Sequence, residues 1–134
     1  MDDDDYGQFP LRSHLGFDVE QSVPGEAMAV LDVAEHHLNP NGVVHGAVLF
    51  ALIDTAMGSA TMSTLAEGQA CASIEVQVRF LSPVASGRLE ARTRVLRAGR
   101  RIVQLESRVH VDAADAPAAV ASGSFAVISR PAAG

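Results

Sequence analysis

One long apolar segment, residues 39–65, limits the possible folds of this chain more than any other stretch. It opens with the turn-forming sequence Asn-Pro-Asn-Gly and continues as a run of small and aliphatic residues in which Asp54 is the only formally charged residue. Because apolar side chains lie on every side of the helical wheel, such a helix is either buried in a core or spans a membrane. In both environments a carboxylate is costly unless it is paired or used.

The composition of this segment favours the protein core over the membrane. Many of its residues are Ala, Gly, Ser and Thr, which are weakly hydrophobic, and an aspartate at mid-helix opposes membrane insertion by roughly 3 kcal/mol. The nearest arginines are Arg12 and Arg79, so no basic residues anchor the ends. We therefore predict a central helix over residues 45–66, with Gly68 as its C-terminal cap.

After the helix the hydrophobic period changes to two, because apolar residues from Ile74 to Phe80 alternate with polar ones. Half-buried strands that are joined by short turns form an antiparallel sheet. The predicted strands cover residues 15–23, 26–34, 74–80, 89–95, 103–111 and 118–128, and one helical turn is expected around Pro10. This order predicts an α+β fold in which a curved antiparallel sheet of about five to six strands wraps one long helix.

Length and charge predict a single domain over residues 7–134 that follows an acidic disordered tail, residues 1–6. The net charge is −6, and residues 2–5 supply four of the negative charges. The remaining domain is nearly neutral, which argues against general nucleic-acid binding. No basic segment resembling a signal peptide opens the chain, so we expect a cytoplasmic protein.

The start of the helix resembles that of the PaaI-type (phenylacetate-pathway) acyl-CoA thioesterases, which have the hotdog fold. The family pattern is an Asn, a Gly three residues before His-Gly-Gly, and an Asp nine residues after the His. The residues that match in register are Asn39, Gly42, His45, Gly46 and Asp54. Ala47 departs from the pattern where the second Gly is usual. The resemblance covers roughly residues 35–130 and implies hydrolysis of an acyl-CoA to a free acid and coenzyme A, without a metal or another cofactor.

Gly46 and Asp54 are the main candidates for catalysis. The first N–H groups of a helix lack internal partners, so a carbonyl oxygen near Gly46 would be polarised as in an oxyanion hole. The alternative for Gly46 is a tight turn into the helix. By the resemblance, Asp54 is the general base or nucleophile. Its alternative is a structural aspartate that is hydrogen-bonded to backbone or threonine.

The spacing of these residues predicts an oligomer. His45 and Asp54 are nine residues apart, which is about 13 Å along a helix, so one chain cannot easily bring both to one thioester carbonyl. Two antiparallel helices across a two-fold axis would form two equivalent composite sites. The family has its site at such a dimer interface, and a tetramer of two dimers is also compatible with the resemblance.

The other candidates each have a structural alternative. By the resemblance, Asn39 positions the attacking water or the thioester carbonyl, and its structural alternative is to cap the turn. His45 orients the loop or forms a hydrogen bond near the thioester, and its structural alternative is a hydrogen bond at the helix start. Ser73 matches a position that assists on the side of the nucleophile, or is an ordinary strand hydroxyl. Arg100 and Arg101, at a predicted hairpin turn, suit the phosphates of coenzyme A, or belong to a solvated face that alternates with glutamates.

A second function class stays open at this point, namely a hotdog domain that binds acyl-CoA without hydrolysing it. The combination of Asn39, Gly46 and Asp54 argues against that class, because a binding module does not need the carboxylate. The acyl group cannot be identified from the sequence, which leaves aryl, medium-chain and long-chain groups as candidates.

Overall fold

The computed structural model describes residues 8–21 and 23–130, so the predicted acidic tail lies outside the described residues. Within these described residues, two α-helices, a short 3₁₀ turn and six strands follow one another. They are α1 (Pro10–Leu15), β1 (Asp18–Glu20), β2 (Glu26–Asp32), the 3₁₀ turn (Glu35–His37), α2 (Gly46–Met62), β3 (Gln69–Phe80), β4 (Arg88–Ala98), β5 (Ile102–Val111) and β6 (Ala119–Ser129).

The six strands form one antiparallel sheet in the order β1-β2-β4-β5-β6-β3, and the sheet curls around α2. Helix α2 contacts all six strands, and its residues Leu52, Ile53, Ala56 and Met57 are fully buried against them. This confirms the predicted central helix and the α+β hotdog architecture. No helix among the described residues is long and apolar enough to cross a membrane.

The predicted alternation of β4 and β5 is confirmed, and it places the core on the face of the sheet toward α2. Leu89 and Ala91 are fully buried, and their neighbours on β5 bury the same face. Thr93 and Ser107 stand opposite each other in this core, where their hydroxyls share a 2.8 Å hydrogen bond. Each buried hydroxyl is thereby satisfied, which removes most of the desolvation penalty of its burial.

The predicted first strand, residues 15–23, is shorter than expected, whereas the helical turn around Pro10 is confirmed. Pro10 begins α1, where its missing N–H costs nothing. Gly16 ends the helix in the left-handed conformation and donates its N–H to the Arg12 carbonyl at 2.8 Å. Leu15 and Gly16 therefore belong to α1 and its cap, and the strand is confined to Asp18–Glu20.

Helix α2 ends at Met62 and not at residue 66, so the prediction for its C-terminus was wrong. The hydroxyls of Ser63 and Thr64 donate to the carbonyls of Ala60 and Thr61, at 2.6 and 2.8 Å. Side chains of this kind offer helix carbonyls an alternative partner and favour termination. Gly68 has a φ of +83° in the turn that leads into β3, so it shapes that turn and does not cap α2.

Strand β3 is an edge strand that pairs with β6 alone, and its alternation differs from the prediction. The register shifts between Ser73 and Glu75, so Ile74 occupies a β-bulge. Ile74 and Phe80 are each 55% exposed, although both were predicted on the buried face. A bulge inserts one extra residue and thereby breaks the period of two at Ile74. Val76 and Val78 keep the predicted face and pack against the core, whereas Phe80 is exposed as the last residue of the strand.

Candidate active site

The loop before α2 is held by the side chain of Asn39. Its Oδ1 accepts hydrogen bonds from the backbone N–H groups of Asn41 at 2.9 Å and Val43 at 3.3 Å. Gly42 adopts a φ of +77°, a conformation that suits glycine in a tight turn. Asn39 therefore caps the turn, as its structural alternative predicts. A role of Asn39 toward the substrate stays a prediction.

His45 is the N-cap of α2, and its hydrogen bonds leave one backbone N–H group of the first helical turn without an acceptor among the described residues. Its Nδ1 accepts the Ala47 N–H at 2.9 Å, and its carbonyl accepts the Val48 N–H at 2.9 Å. The ring proton then resides on Nε2, because Nδ1 is an acceptor. Of the first three N–H groups of α2, that of Gly46 alone has no acceptor among the described residues. The Gly46 N–H is therefore available to donate a hydrogen bond to a ligand oxygen, as an oxyanion hole requires.

The ring of Phe80 lies against Gly46 at the end of β3. A Cβ placed on Gly46 would lie 3.1 Å from Phe80 Cζ, closer than ordinary van der Waals contact. Because Phe80 is largely exposed, its ring can move aside at small cost. A glycine at this position keeps the space beside the free amide open.

Asp54 lies at the middle of α2 and points into a cavity of about 800 Å³ between α2, α1 and β3. Burial raises the pKa of Asp54 above its ordinary value of 3.8, and a hydrogen bond from the Ser73 hydroxyl partly opposes this effect. Ser73 lines the same cavity as Asp54, and its role in the reaction stays a prediction. A desolvated carboxylate of raised pKa is a stronger base than one in water.

The cavity is mostly apolar, and several of its walls come from distant parts of the chain. Its lining residues are Phe9, Leu11, Arg12, Val19, Gln21, Ala47, Phe50, Ala51, Asp54, Thr55, Gly58, Ser59, Cys71, Ala72, Ser73 and Phe125. Phe125 forms part of the floor under Gly58, and the Cys71 thiol donates to the Gly58 carbonyl at 3.8 Å. The small residues of α2 lie three and four positions apart, so the helix presents a smooth face to the cavity.

Sequence reasoning missed the aromatic residues of this cavity. Phe50 could have been found, because it shares the helix face of Asp54 at a spacing of four residues. Phe9 on the N-terminal segment and Phe125 on β6 carry no local signal, since only the folding of the sheet brings them to α2.

The structure does not bring all of the predicted site residues together within one chain. Gly46 and Asp54 lie eight residues apart on α2, which corresponds to about 12 Å along the axis. Neither Gly46 nor Asn39 lines the cavity of Asp54. One chain therefore carries the two halves of the predicted site in separate places.

The arginines of the β4–β5 hairpin also lie away from the cavity. Arg100 and Arg101 are both exposed in the turn, and neither lines the wall around Asp54. On the outer face of the sheet, Arg92 pairs with Glu90 and Arg94 with Glu106. Arg92 and Arg94 therefore belong to a solvated face of the sheet on which arginines pair with glutamates. A role of Arg100 and Arg101 toward coenzyme A stays a prediction.

A long helix wrapped by a curled antiparallel sheet of six strands defines a hotdog-fold protein. Its candidate site has a free amide at the helix start and a desolvated carboxylate at the middle of the helix. The family model of the thioesterase superfamily matches residues 41–115. The chain belongs to this superfamily, and the resemblance stated from the sequence is confirmed at the level of the family.

Proteins of known sequence agree with this assignment. The chain is 38% identical to a proposed esterase of Halobacterium salinarum, over 92% of this chain and 86% of that protein. A proposed esterase of Haemophilus influenzae is 32% identical over 67% of this chain, and the match spans 65% of that relative's length.

Among solved structures, a thioesterase from Haemophilus influenzae superposes with a TM-score of 0.86 at 26% identity, covering 93% of this chain and 87% of that chain. A point mutant of the phenylacetic acid degradation protein PaaI from Thermus thermophilus superposes with a TM-score of 0.79 at 26% identity. That match covers 88% of this chain and 98% of PaaI.

Proposed function

We propose that this protein hydrolyses an acyl-CoA or aryl-CoA thioester to a free acid and coenzyme A. The observation that carries the proposal is the Asp54 carboxylate, whose pKa is raised by burial inside an apolar cavity large enough for an acyl group. The cavity around Asp54 is lined mostly by apolar and small residues, which suits an acyl chain placed beside the carboxylate. Similarity to a thioesterase and to PaaI supports the same chemistry.

In the proposed reaction, Asp54 takes a proton from water as the water attacks the thioester carbonyl, or attacks that carbon itself to form an anhydride that water then opens. The carbonyl oxygen gains negative charge in either case, and the Gly46 N–H donates a hydrogen bond to it. The C–S bond breaks, the thiolate of coenzyme A leaves, and the proton from water restores the thiol. Both routes consume one water and release one acid and one thiol.

The proposed site combines two copies of the chain. The Gly46 amide and Asp54 are too far apart on one helix to reach the same carbonyl, so the amide would come from α2 of a second copy. Strand β3 offers an edge for such an association, since its twelve residues pair with β6 on one side only. Its bulged Ile74 is exposed in the single chain. The minimal active unit in this proposal is a homodimer.

The decisive experiment measures free-thiol release from phenylacetyl, hydroxybenzoyl, short-chain and long-chain CoA esters. We expect the wild type to turn over at least one class of ester, and Asp54→Asn to lose roughly 100-fold or more of that rate, the scale of general acid–base catalysis. Asp115→Asn is the matched control, because Asp115 is exposed in the β5–β6 loop and does not line the cavity.

The result that would overturn the proposal is binding without chemistry. If the wild type binds these esters but releases no more thiol than Asp54→Asn, the protein is a non-catalytic acyl-CoA-binding module. The class of ester that is hydrolysed fastest identifies the acyl group that the cavity accepts.

A further inference from the structure

We infer that His37 is a positioning residue of the active site, which holds the start of α2 and with it the Gly46 amide in place. The inference rests on the proposed function, because it assigns a task to His37 in that same site. His37 belongs to the 3₁₀ turn (Glu35–His37) and lies outside the cavity of Asp54, so its side chain would act through the backbone that it orders.

Both ring nitrogens of His37 are used, in opposite roles. Nδ1 accepts the backbone N–H of Ala34 at 2.9 Å, and Nε2 lies 2.7 Å from the carbonyl oxygen of Leu15. Since Nδ1 accepts, the single proton of the neutral ring resides on Nε2 and is donated to Leu15. The side chain is buried, with 2% exposure, so neither bond is exchanged easily for water.

The backbone of His37 connects this side chain to the helix start. Its N–H donates to the Ala34 carbonyl at 3.0 Å, so Ala34 and His37 are joined by two hydrogen bonds. The carbonyl of His37 accepts the N–H of His45, the N-cap of α2, at 2.9 Å. The free amide of Gly46 follows one residue later. Any loosening of the turn at Ala34 therefore reaches the proposed oxyanion donor through a single backbone hydrogen bond.

Small shifts of this donor should affect the reaction more than the binding of substrate. Electrostatic stabilisation requires a donor about 3 Å from the position that the oxyanion will occupy, and displacement by about 1 Å can cost up to 100-fold in rate. Most of the binding energy of an acyl-CoA comes from other contacts. A positioning defect should therefore lower kcat and leave KM nearly unchanged.

The neighbouring histidine provides a matched control. The ring of His36 lies beside that of His37, tilted by 45° with centroids 4.0 Å apart, yet His36 is exposed and no hydrogen bond of its ring is found among the described residues. The variant His36→Ala removes the same type of side chain from the same turn without touching the bonds to Ala34 and Leu15.

Two conservative variants separate the two hydrogen bonds of His37. In His37→Asn the side-chain oxygen can replace Nδ1 as the acceptor for Ala34 but cannot reach Leu15. In His37→Gln the amide nitrogen can replace Nε2 as the donor to Leu15 but leaves Ala34 without its acceptor. We expect kcat to fall about tenfold in His37→Ala and His37→Gln with KM within about twofold. His37→Asn should stay within about threefold of the wild type, and His36→Ala should match it.

Rates are expressed per folded protein, with the folded fraction taken from thermal melting of each variant. A purely structural role would lower the melting temperature and leave kcat of the folded fraction unchanged. The inference is overturned if kcat of His37→Ala and His37→Gln stays within about twofold of the wild type, or if His37→Asn is as slow as His37→Ala.

Hydrogen exchange of the His45 amide gives a readout that does not depend on catalysis. We expect this amide to be protected in the wild type and in His36→Ala, and to exchange at least about tenfold faster in His37→Ala. If the wild type hydrolyses no thioester, the proposed function fails, and equal protection in all variants would show separately that His37 does not hold the helix start.

Discussion

Asp54 must be ionised to act as a base or nucleophile, and its surroundings set the pH at which this happens. Burial raises its pKa above 3.8, and the Ser73 hydroxyl counteracts the shift by bonding to the charged form. Activity should be present above the pKa of folded Asp54 and lost as the pH falls through it. Removing the hydroxyl in Ser73→Ala takes away the stabilising bond, so the acid limb of kcat/KM should move to higher pH.

The measurement is a pH profile of kcat/KM for the wild type and Ser73→Ala, with Ser122→Ala as control. Ser122 is an exposed residue of β6 that does not line the cavity of Asp54. A limb that stays in place, or moves to lower pH, would show that Ser73 does not bond to the ionised Asp54 in the active enzyme.

The amide of Gly46 can be tested by deleting its hydrogen. Gly46 is the first helical residue, where proline is tolerated, and the preceding His45 has φ −62° and ψ 137°, which suits a residue before proline. Gly46→Pro therefore removes the N–H without a demand on the helix. Gly46→Ala is the control, since its Cβ meets the same Phe80 ring at 3.1 Å but the N–H remains.

We expect Gly46→Pro to lose a further 10²–10³-fold in kcat relative to Gly46→Ala, about the effect of deleting one oxyanion-hole donor. Steady-state kinetics of the folded variants measure the difference. Equal rates for Pro and Ala would indicate that the developing charge is stabilised elsewhere.

Among the structural elements, the loop that enters α2 depends on side-chain acceptors. The Oδ1 atom of Asn39 holds the N–H groups of Asn41 and Val43. Asn39→Ala leaves both donors without this partner and should lower the free energy of unfolding by about 1 kcal/mol, as for other lost caps. Asn39→Asp keeps an acceptor oxygen and should be close to the wild type. Urea unfolding monitored by circular dichroism measures both.

The same pair of variants separates the two interpretations of Asn39. If Asn39 only caps the turn, Asn39→Asp keeps both stability and kcat. A variant with normal stability and a strongly reduced kcat would instead assign Asn39 a contact with water or the thioester.

For the molecule as a whole, a site built from two chains predicts that two inactive variants regain activity when they are mixed, whereas a site within one chain does not. A dimer of one Asp54→Asn chain and one Gly46→Pro chain contains one site with both defects and one site with neither. Two inactive variants that are mixed under conditions of subunit exchange should regain about a quarter of the wild-type activity, because half of the dimers are hybrid and each has one intact site.

Free-thiol release before and after mixing measures this recovery, and each variant incubated alone is the control. Absence of recovery, with hybrid dimers demonstrated by native mass spectrometry, would place Asp54 and its oxyanion donor in the same chain.

The pattern of residues along the chain was enough to predict the long helix, the six strands in their order and the positions of Gly46 at the start and Asp54 at the middle of that helix. These features are local: the apolar run and the period of two follow from which faces are buried, and the amide at a helix start is free wherever a helix begins. For the same reason Gly46 and Asp54 stand out in the sequence, whereas Ser73 was singled out by the resemblance to the family.

Packing in three dimensions set where α2 ends, made Ile74 bulge out of β3, and assembled the cavity from aromatic residues of both ends of the chain. At the end of α2, the Ser63 hydroxyl donates to the Ala60 carbonyl and also accepts the N–H of Gly25 at 2.8 Å, so the helix end is tied to the turn before β2. The aromatic walls need long-range pairing of strands. Contacts between residues far apart in sequence are set by packing, and packing has no local signature in the chain.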